Sequence, residues 1–260
     1  MLKFAANLSF LYPDLPFLER FKASAADGFK AVEYAVPYMA SPEVLAEQLA
    51  ANGLVQALFN LPAGDWDGGE RGIACHPDRI DEFRAGIDTA IRFAKALDCK
   101  TVNCLAGIRP DKVTTAALDK TFVYNLRYAA PRLADAGIAL VIEPINRRDI
   151  PDFHLSTTGH AERILDAVGS DNLRIQYDFY HMQIVQGDLV PTFQRLQQRI
   201  GHVQIADTPG RHEPGTGEIN YGFVLSELER LGYDGWIGCE YRPKAGTSEG
   251  LGWIAPYRNS

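Results

Sequence analysis

Short apolar runs alternate with longer amphipathic stretches along the chain, and the alternation repeats eight times. The runs at 4–9, 31–34, 55–61, 101–105, 138–143, 173–177, 202–206 and 235–240 have the length and composition of strands buried on both faces. Helical patterns fall between them at 16–26, 42–51, 79–96, 115–136, 159–168, 189–199 and 221–231. Ser41 before Pro42 supplies an N-cap and a first-turn proline, and Asn220 can cap the last helix. Gly28, Gly53, Gly137 and Gly232 each stand just past a periodic segment, where helices end. Eight strand–helix units in 260 residues predict an α/β fold, a single (β/α)8 TIM barrel forming one domain over 1–260. An open doubly wound sheet is the alternative, but no glycine-rich phosphate loop follows the first strand.

Active sites of such barrels lie at the C-terminal ends of the strands. There the fifth run ends in Glu143 and the sixth in Asp178, with His181 three residues on; the eighth ends in Glu240. The seventh carries His202 and Gln204 on one face under two-residue alternation, and Gln204 is nearer the rim. His202 is then expected deeper, as a hydrogen-bonded core residue. Converging carboxylates raise one another's pKa unless a cation lies among them. Oxygen ligands with one amide suit Mg²⁺ or Mn²⁺ better than zinc, so Glu143, Asp178, Gln204 and Glu240 form a candidate metal site.

Charge narrows the partners. The formal net charge is -7, and no Lys/Arg cluster offers the basic stripe a nucleic-acid binder needs. Cys75, Cys99, Cys104 and Cys239 form no CxxC pair or zinc-ligand cluster, which fits reduced thiols and a cytoplasmic location. The opening residues lack a long apolar segment, so neither a signal peptide nor a membrane span is expected. Homo-oligomerisation is left open.

Six stretches carry a family resemblance: 60–66 (NLPAGDW), 69–75 (GERGIAC), 143–146 (EPIN), 176–183 (QYDFYHMQ), 202–207 (HVQIAD) and 213–221 (EPGTGEINY). Together they resemble the hydroxypyruvate isomerases, a branch of the xylose-isomerase-like barrels, from Ala5 to Trp253. The resemblance implies interconversion of hydroxypyruvate and tartronate semialdehyde through a cis-enediolate. It implies Glu143 and Glu240 as the acid/base pair, and Glu143, Asp178, Gln204 and Glu240 as ligands of a divalent metal. Many members of the wider group have His where Gln204 stands, which leaves open whether the metal is obligatory.

A small anionic hydroxy-carbonyl substrate needs a cationic partner in this acidic chain. Arg71, in the loop after the third run, and Arg211, after the seventh, are the candidates, with Lys244 behind them. His181 can contact a substrate oxygen or steady Asp178. The glycine-rich stretch 62–77, with Trp66, has the length of a lid, and Phe10, Tyr12 and Tyr38 are candidate pocket walls. The alternatives are a 2-oxo-tetronate isomerase, a ketose 3-epimerase and a non-catalytic sugar-acid binder. A phosphodiesterase acting on damaged DNA would need more histidine ligands and a basic groove.

Overall fold

The computed structural model describes residues 1–258, and in it the eight apolar runs pair as parallel strands that close in chain order. They are β1 (Lys3–Asn7), β2 (Ala31–Tyr34), β3 (Val55–Asn60), β4 (Thr101–Cys104), β5 (Ala139–Ile142), β6 (Leu173–Asp178), β7 (Ile200–Ile205) and β8 (Trp236–Cys239). Closure pairs β1 with β8, setting Phe4 opposite Ile237 and Ala6 opposite Cys239. Register slips at two places, between Val32 and Glu33 against β3 and between Ile175 and Gln176 against β7.

The helices are α1 (Glu19–Ala26), α2 (Pro42–Asn52), α3 (Ile80–Ala96), α4 (Thr115–Asp135), α5 (Thr158–Val168), α6 (Phe179–Val185), α7 (Leu189–Leu196), α8 (Tyr221–Arg230) and α9 (Ala255–Arg258). Their apolar stripes explain their seats. In α3, Phe83, Ile87, Ala90, Phe93 and Ala94 recur at helical spacing and are all buried. The expected caps form: Ser41 Oγ accepts from the Val44 amide, Gly53 closes α2 at φ 62°, and Asn220 accepts from Phe223.

Some boundaries differ from the pattern. The first helix begins at Glu19 rather than 16, and 189–199 divides into α7 and a 3-10 turn at Gln197–Arg199. The short α6 starts directly where β6 stops, with Asp178 as its N-cap. Among the described residues, no helix is long and apolar enough to cross a membrane.

The inside of the barrel is divided. Ala5, Ala31 and Ala57 form a small apolar cluster with Trp236 packed on it. Two residues further along β1 and β2, on the same inward face, stand Asn7 and Glu33. Asn60, Asn103, Gln176, Asp178 and Gln204 are likewise buried polar residues at the strand ends. The inward face of a closed barrel is shut off from solvent, so the polar groups on it depend on partners inside.

Candidate active site

Glu143 and Glu240 each follow the last residue of a strand, β5 and β8, while Asp178 is the last residue of β6. One ligand atom from each of Glu143, Asp178, His181 and Glu240 lies within 4.8 Å of the others. Each carboxylate is held differently. Asn103 donates to Glu143 Oε2 at 3.1 Å, and Asn7 donates to Glu240 Oε1 at 3.3 Å. The Tyr180 amide donates to Asp178 Oδ1 at 2.9 Å, but Asp178 Oδ2 is buried without a hydrogen-bond partner.

Arg211 is the cation of this cluster. Its Nη2 donates to Glu240 Oε2 and stands 3.8 Å from Asp178 Oδ2, while Nη1 reaches Asp149 at 3.4 Å. The guanidinium lies between the rings of Phe10 and Tyr180, 4.8 and 4.9 Å from their centroids. Burial works against its charge, but Glu240, Asp178, Asp149 and Glu143 together keep its pKa above the ordinary value.

His181 enters the cluster as a neutral donor. Asn146 Oδ1 accepts from the Asp149 amide at 2.9 Å, which turns its Nδ2 toward His181 Nδ1 at 2.6 Å. Nδ1 is therefore an acceptor, and the hydrogen sits on Nε2. Arg211 Nη2, at 3.5 Å from Nε2, is too distant to reverse that assignment. Burial, and then Arg211, drive the imidazole pKa well below its ordinary value. Nε2–H consequently faces Asp178 Oδ2 at 3.5 Å and Glu143 Oε1 at 3.7 Å.

Two buried carboxylates and a partly buried one thus face one guanidinium. Burial foremost lifts Glu143 well above the carboxylate range, and repulsion from Glu240 and Asp178 adds to it. Burial lifts Glu240 to about 8, against the pull of Arg211, and Asp178 to about 6. A divalent cation would relieve this arrangement, and Asp178 Oδ2 is a buried oxygen with no hydrogen bond of its own. The donor set is hard oxygen, which fits Mg²⁺ or Mn²⁺.

Gln204 is placed differently from the other expected ligands. It is buried beside Asp178 in register, donates through Nε2 to Glu33 at 2.7 Å, and accepts at Oε1 from Gln176 at 2.6 Å. One lone pair of that oxygen remains. His202 lies deeper, its Nε2 2.6 Å from Glu33 Oε2.

A cavity of about 480 Å³ opens above the carboxylates, walled by Phe10, Trp66, Arg71, Asp149, His181 and Arg211 among others. Arg71 is fixed by its own loop: Nη1 donates to the carbonyls of Trp66 at 2.9 Å and Glu70 at 2.6 Å, and its guanidinium lies 4.1 Å from the Trp66 ring centroid. No carboxylate pairs with it among the described residues. The loop is tied down, with Gly72 bonded to Ala63, Cys75 to Ala106, and the Ala74 carbonyl to Asn125. At Gly72, φ is 104° and a Cβ would fall 2.3 Å from the Leu105 carbonyl oxygen, so glycine alone permits this approach. The stretch is a wall of the cavity fastened at several points. Phe10 joins that wall, whereas Tyr12 bonds Asp27 and Tyr38 bonds the Asn60 carbonyl. Arg242, not Lys244, lines the cavity beside Arg211.

A second group, Asp119, His154 and His160, lies on α4, the loop after β5, and α5. Both imidazole Nε2 atoms stand at hydrogen-bonding distance, 2.8 and 2.7 Å, from the same oxygen, Asp119 Oδ1. That spacing is a pair of N–H···O bonds fastening three segments together.

A closed parallel barrel with buried acidic residues at its C-terminal rim is the framework of a sugar-isomerase-type site, and the family comparison agrees. Residues 21–257 match the family model described as xylose isomerase-like TIM barrel, and the chain belongs to that family. It is 51% identical to a protein of Escherichia coli named hydroxypyruvate isomerase, over 99% of this chain and 100% of the relative. It is 48% identical to a 2-oxo-tetronate isomerase of Cupriavidus necator, over 99% of both. A crystal structure titled AP endonuclease, family 2, from Brucella melitensis superposes with a TM-score of 0.97 at 44% identity, covering 100% of both chains.

Proposed function

We propose that the protein is an isomerase, one barrel domain over 1–260, that interconverts hydroxypyruvate and tartronate semialdehyde. The observation that carries this reading is the pairing of Glu143, buried, and Glu240, partly buried, two carboxylates of raised pKa beneath a cavity that also holds an arginine with no carboxylate partner. The relative named hydroxypyruvate isomerase supports the substrate.

The reaction moves one proton from C3 of hydroxypyruvate to C2 and one hydroxyl proton from O3 to O2, by a cis-enediolate, so that the carbonyl passes from C2 to C3. One of the two glutamates removes the carbon-bound proton and the other returns one to the neighbouring carbon. Their desolvation keeps both basic enough for the work. Glu143, Asp178 and Glu240, with the remaining lone pair of Gln204, would hold a divalent Mg²⁺ or Mn²⁺ ion. When bound, that ion supplies Lewis-acid stabilisation of negative charge on the substrate oxygens. His181 donates Nε2–H toward a substrate oxygen, and Arg211 balances the acidic cluster. Arg71, free of carboxylates and held over the Trp66 ring, receives the substrate carboxylate.

Phosphodiester chemistry is poorly supported. His181 is the one imidazole among the four clustered ligand groups, and the neighbouring strands β3 and β4 offer the amides Asn60 and Asn103. The second reading is 2-oxo-tetronate isomerisation, favoured by the relative of that name at 48% identity. The same groups would act on a substrate one carbon longer. Incubation with hydroxypyruvate and Mg²⁺ or Mn²⁺, followed by proton NMR, should show tartronate semialdehyde. Turnover of 2-oxo-tetronates alone would overturn the three-carbon substrate.

A further inference from the structure

Glu33 has no part in the chemistry above, yet it is a carboxylate with no exposed surface at the axis of the barrel. Its Oε1 accepts from Asn7 Nδ2 at 2.9 Å and from Gln204 Nε2 at 2.7 Å, and its Oε2 lies 2.6 Å from His202 Nε2. Burying a carboxyl group is expensive, and an apolar side chain of similar size would fill this space more cheaply. The surrounding backbone nevertheless makes room for it. A Cβ on Gly238 would fall 2.2 Å from Glu33 Oε1 and 2.5 Å from Oε2. Gly238 has no left-handed φ, so space and not conformation accounts for the glycine. The two register slips of the barrel fall at Glu33 and at Gln176, and such irregularities re-aim side chains.

The bonds leaving Glu33 run through Asn7 to Glu240 and through Gln204 to Gln176. Asn7 accepts at Oδ1 from the Ser9 amide at 3.0 Å, so its NH₂ group serves Glu33 and Glu240 together. Gln204 turns its NH₂ to Glu33 and therefore its oxygen to Gln176, whose NH₂ bonds that oxygen. Gln176 Oε1 is left buried without a partner, so the orientation is imposed by the acceptors around it. An amide can bond equally well in either of two flipped orientations; a carboxylate can only accept.

We propose that Glu33 is a positioning residue: as the shared acceptor of the Asn7 and Gln204 NH₂ groups it holds Asn7 against Glu240 and fixes which way the Gln204–Gln176 pair points. The inference rests on the reading of Glu143 and Glu240 as the proton-transfer pair. Replacing Glu33 with Gln keeps the shape and removes the polarity. Replacing Gly238 with Ala displaces the carboxylate while leaving it in the chain.

The test compares wild type, Glu33→Gln, Gly238→Ala, the double variant and Glu240→Gln on hydroxypyruvate, together with ¹⁵N NMR of the side-chain amides. Glu33→Gln and Gly238→Ala should each lower kcat about 10- to 100-fold with KM within a few-fold. The double variant should be little worse than either single one, because both break one network. The amide signals of Asn7, Gln176 and Gln204 should shift or double in Glu33→Gln. Unchanged amide signals, or wild-type kcat in a folded Glu33→Gln, overturn the proposal. If Glu33→Gln does not fold, Asn7→Leu carries the kinetic test on the Glu240 arm, and wild-type kcat there overturns it. A Glu240→Gln variant of normal kcat would instead overturn the acid/base reading, and the amide spectra would still decide the role of Glu33.

Discussion

The Nδ2 of Asn146 lies 2.6 Å from Nδ1 of His181, and this contact decides what His181 can offer a substrate. With Nδ1 occupied as an acceptor, the ring presents Nε2–H to the acidic cluster. Imidazole ¹⁵N NMR should find Nε2 protonated and Nδ1 bare at neutral pH. His181→Gln, which sets an amide nitrogen near the place of Nε2, should stay within about tenfold of wild-type kcat/KM. His181→Leu should lose about a hundredfold or more, by leaving buried acceptors unmatched. Equal losses in the two variants would count against a donor role.

Arg71 should matter to the substrate's charge and little to the fold, since its bonds lie within its own loop. Arg71→Met is expected to lower kcat/KM for hydroxypyruvate by about 10² or more, mostly through KM. Its activity on dihydroxyacetone, which has no carboxylate, should match that of wild type. An equal fall on both compounds would place the substrate carboxylate elsewhere.

The acidic cluster should respond to divalent ions in stability as well as activity. At a hundredfold excess over Kd, Mg²⁺ or Mn²⁺ is expected to add about 2.7 kcal/mol, a Tm rise of about 5 °C or more. Asp178→Asn removes the charge on Oδ2, which has no hydrogen bond of its own, and should abolish most of that rise. A full metal-dependent shift in Asp178→Asn would move the ion to another set of residues.

His154 predicts a pH effect remote from the site. Burial, reinforced by His160, holds its pKa down to about 4 against an ordinary 6.5. Below 6.5 the unfolded chain binds a proton that the folded chain refuses, so stability falls with pH between about 6.5 and 4 and is unaffected above that window. The slope from this residue approaches about 1.4 kcal/mol per pH unit. Urea unfolding of wild type and His154→Gln should therefore differ most at pH 7 and converge toward pH 4. A gap independent of pH would show that His154 is not buried neutral.

The barrel and half its rim were readable because polar residues within or just after an apolar run mark Glu143, Asp178, Gln204 and Glu240. The same signature stands at Asn7, Asn60 and Asn103, where an amide does not announce chemistry by itself. Glu33, between Val32 and Tyr34, is a single charge inside a run read as buried on both faces, and its partners become visible only when the barrel closes. The helix α6 has seven residues, too few for a periodic stripe, and starts with no intervening loop. Asp149 and Arg242 reach the cavity on loops whose paths depend on contacts distant in sequence. The partners of Gln204 were hidden for the same reason, since Glu33 lies 171 residues away.

The central claim is proton transfer between adjacent carbons by Glu143 and Glu240. The most direct measurement is deuterium incorporation from D₂O into hydroxypyruvate and its product, followed by NMR for wild type, Glu143→Gln and Glu240→Gln with Mn²⁺ or Mg²⁺ present. Wild type should place deuterium at C3 of recovered hydroxypyruvate or at C2 of tartronate semialdehyde, and each variant should slow that exchange by about 10³-fold or more. Exchange at the wild-type rate in either variant, or isomerisation by a residue outside the pair, would contradict the account.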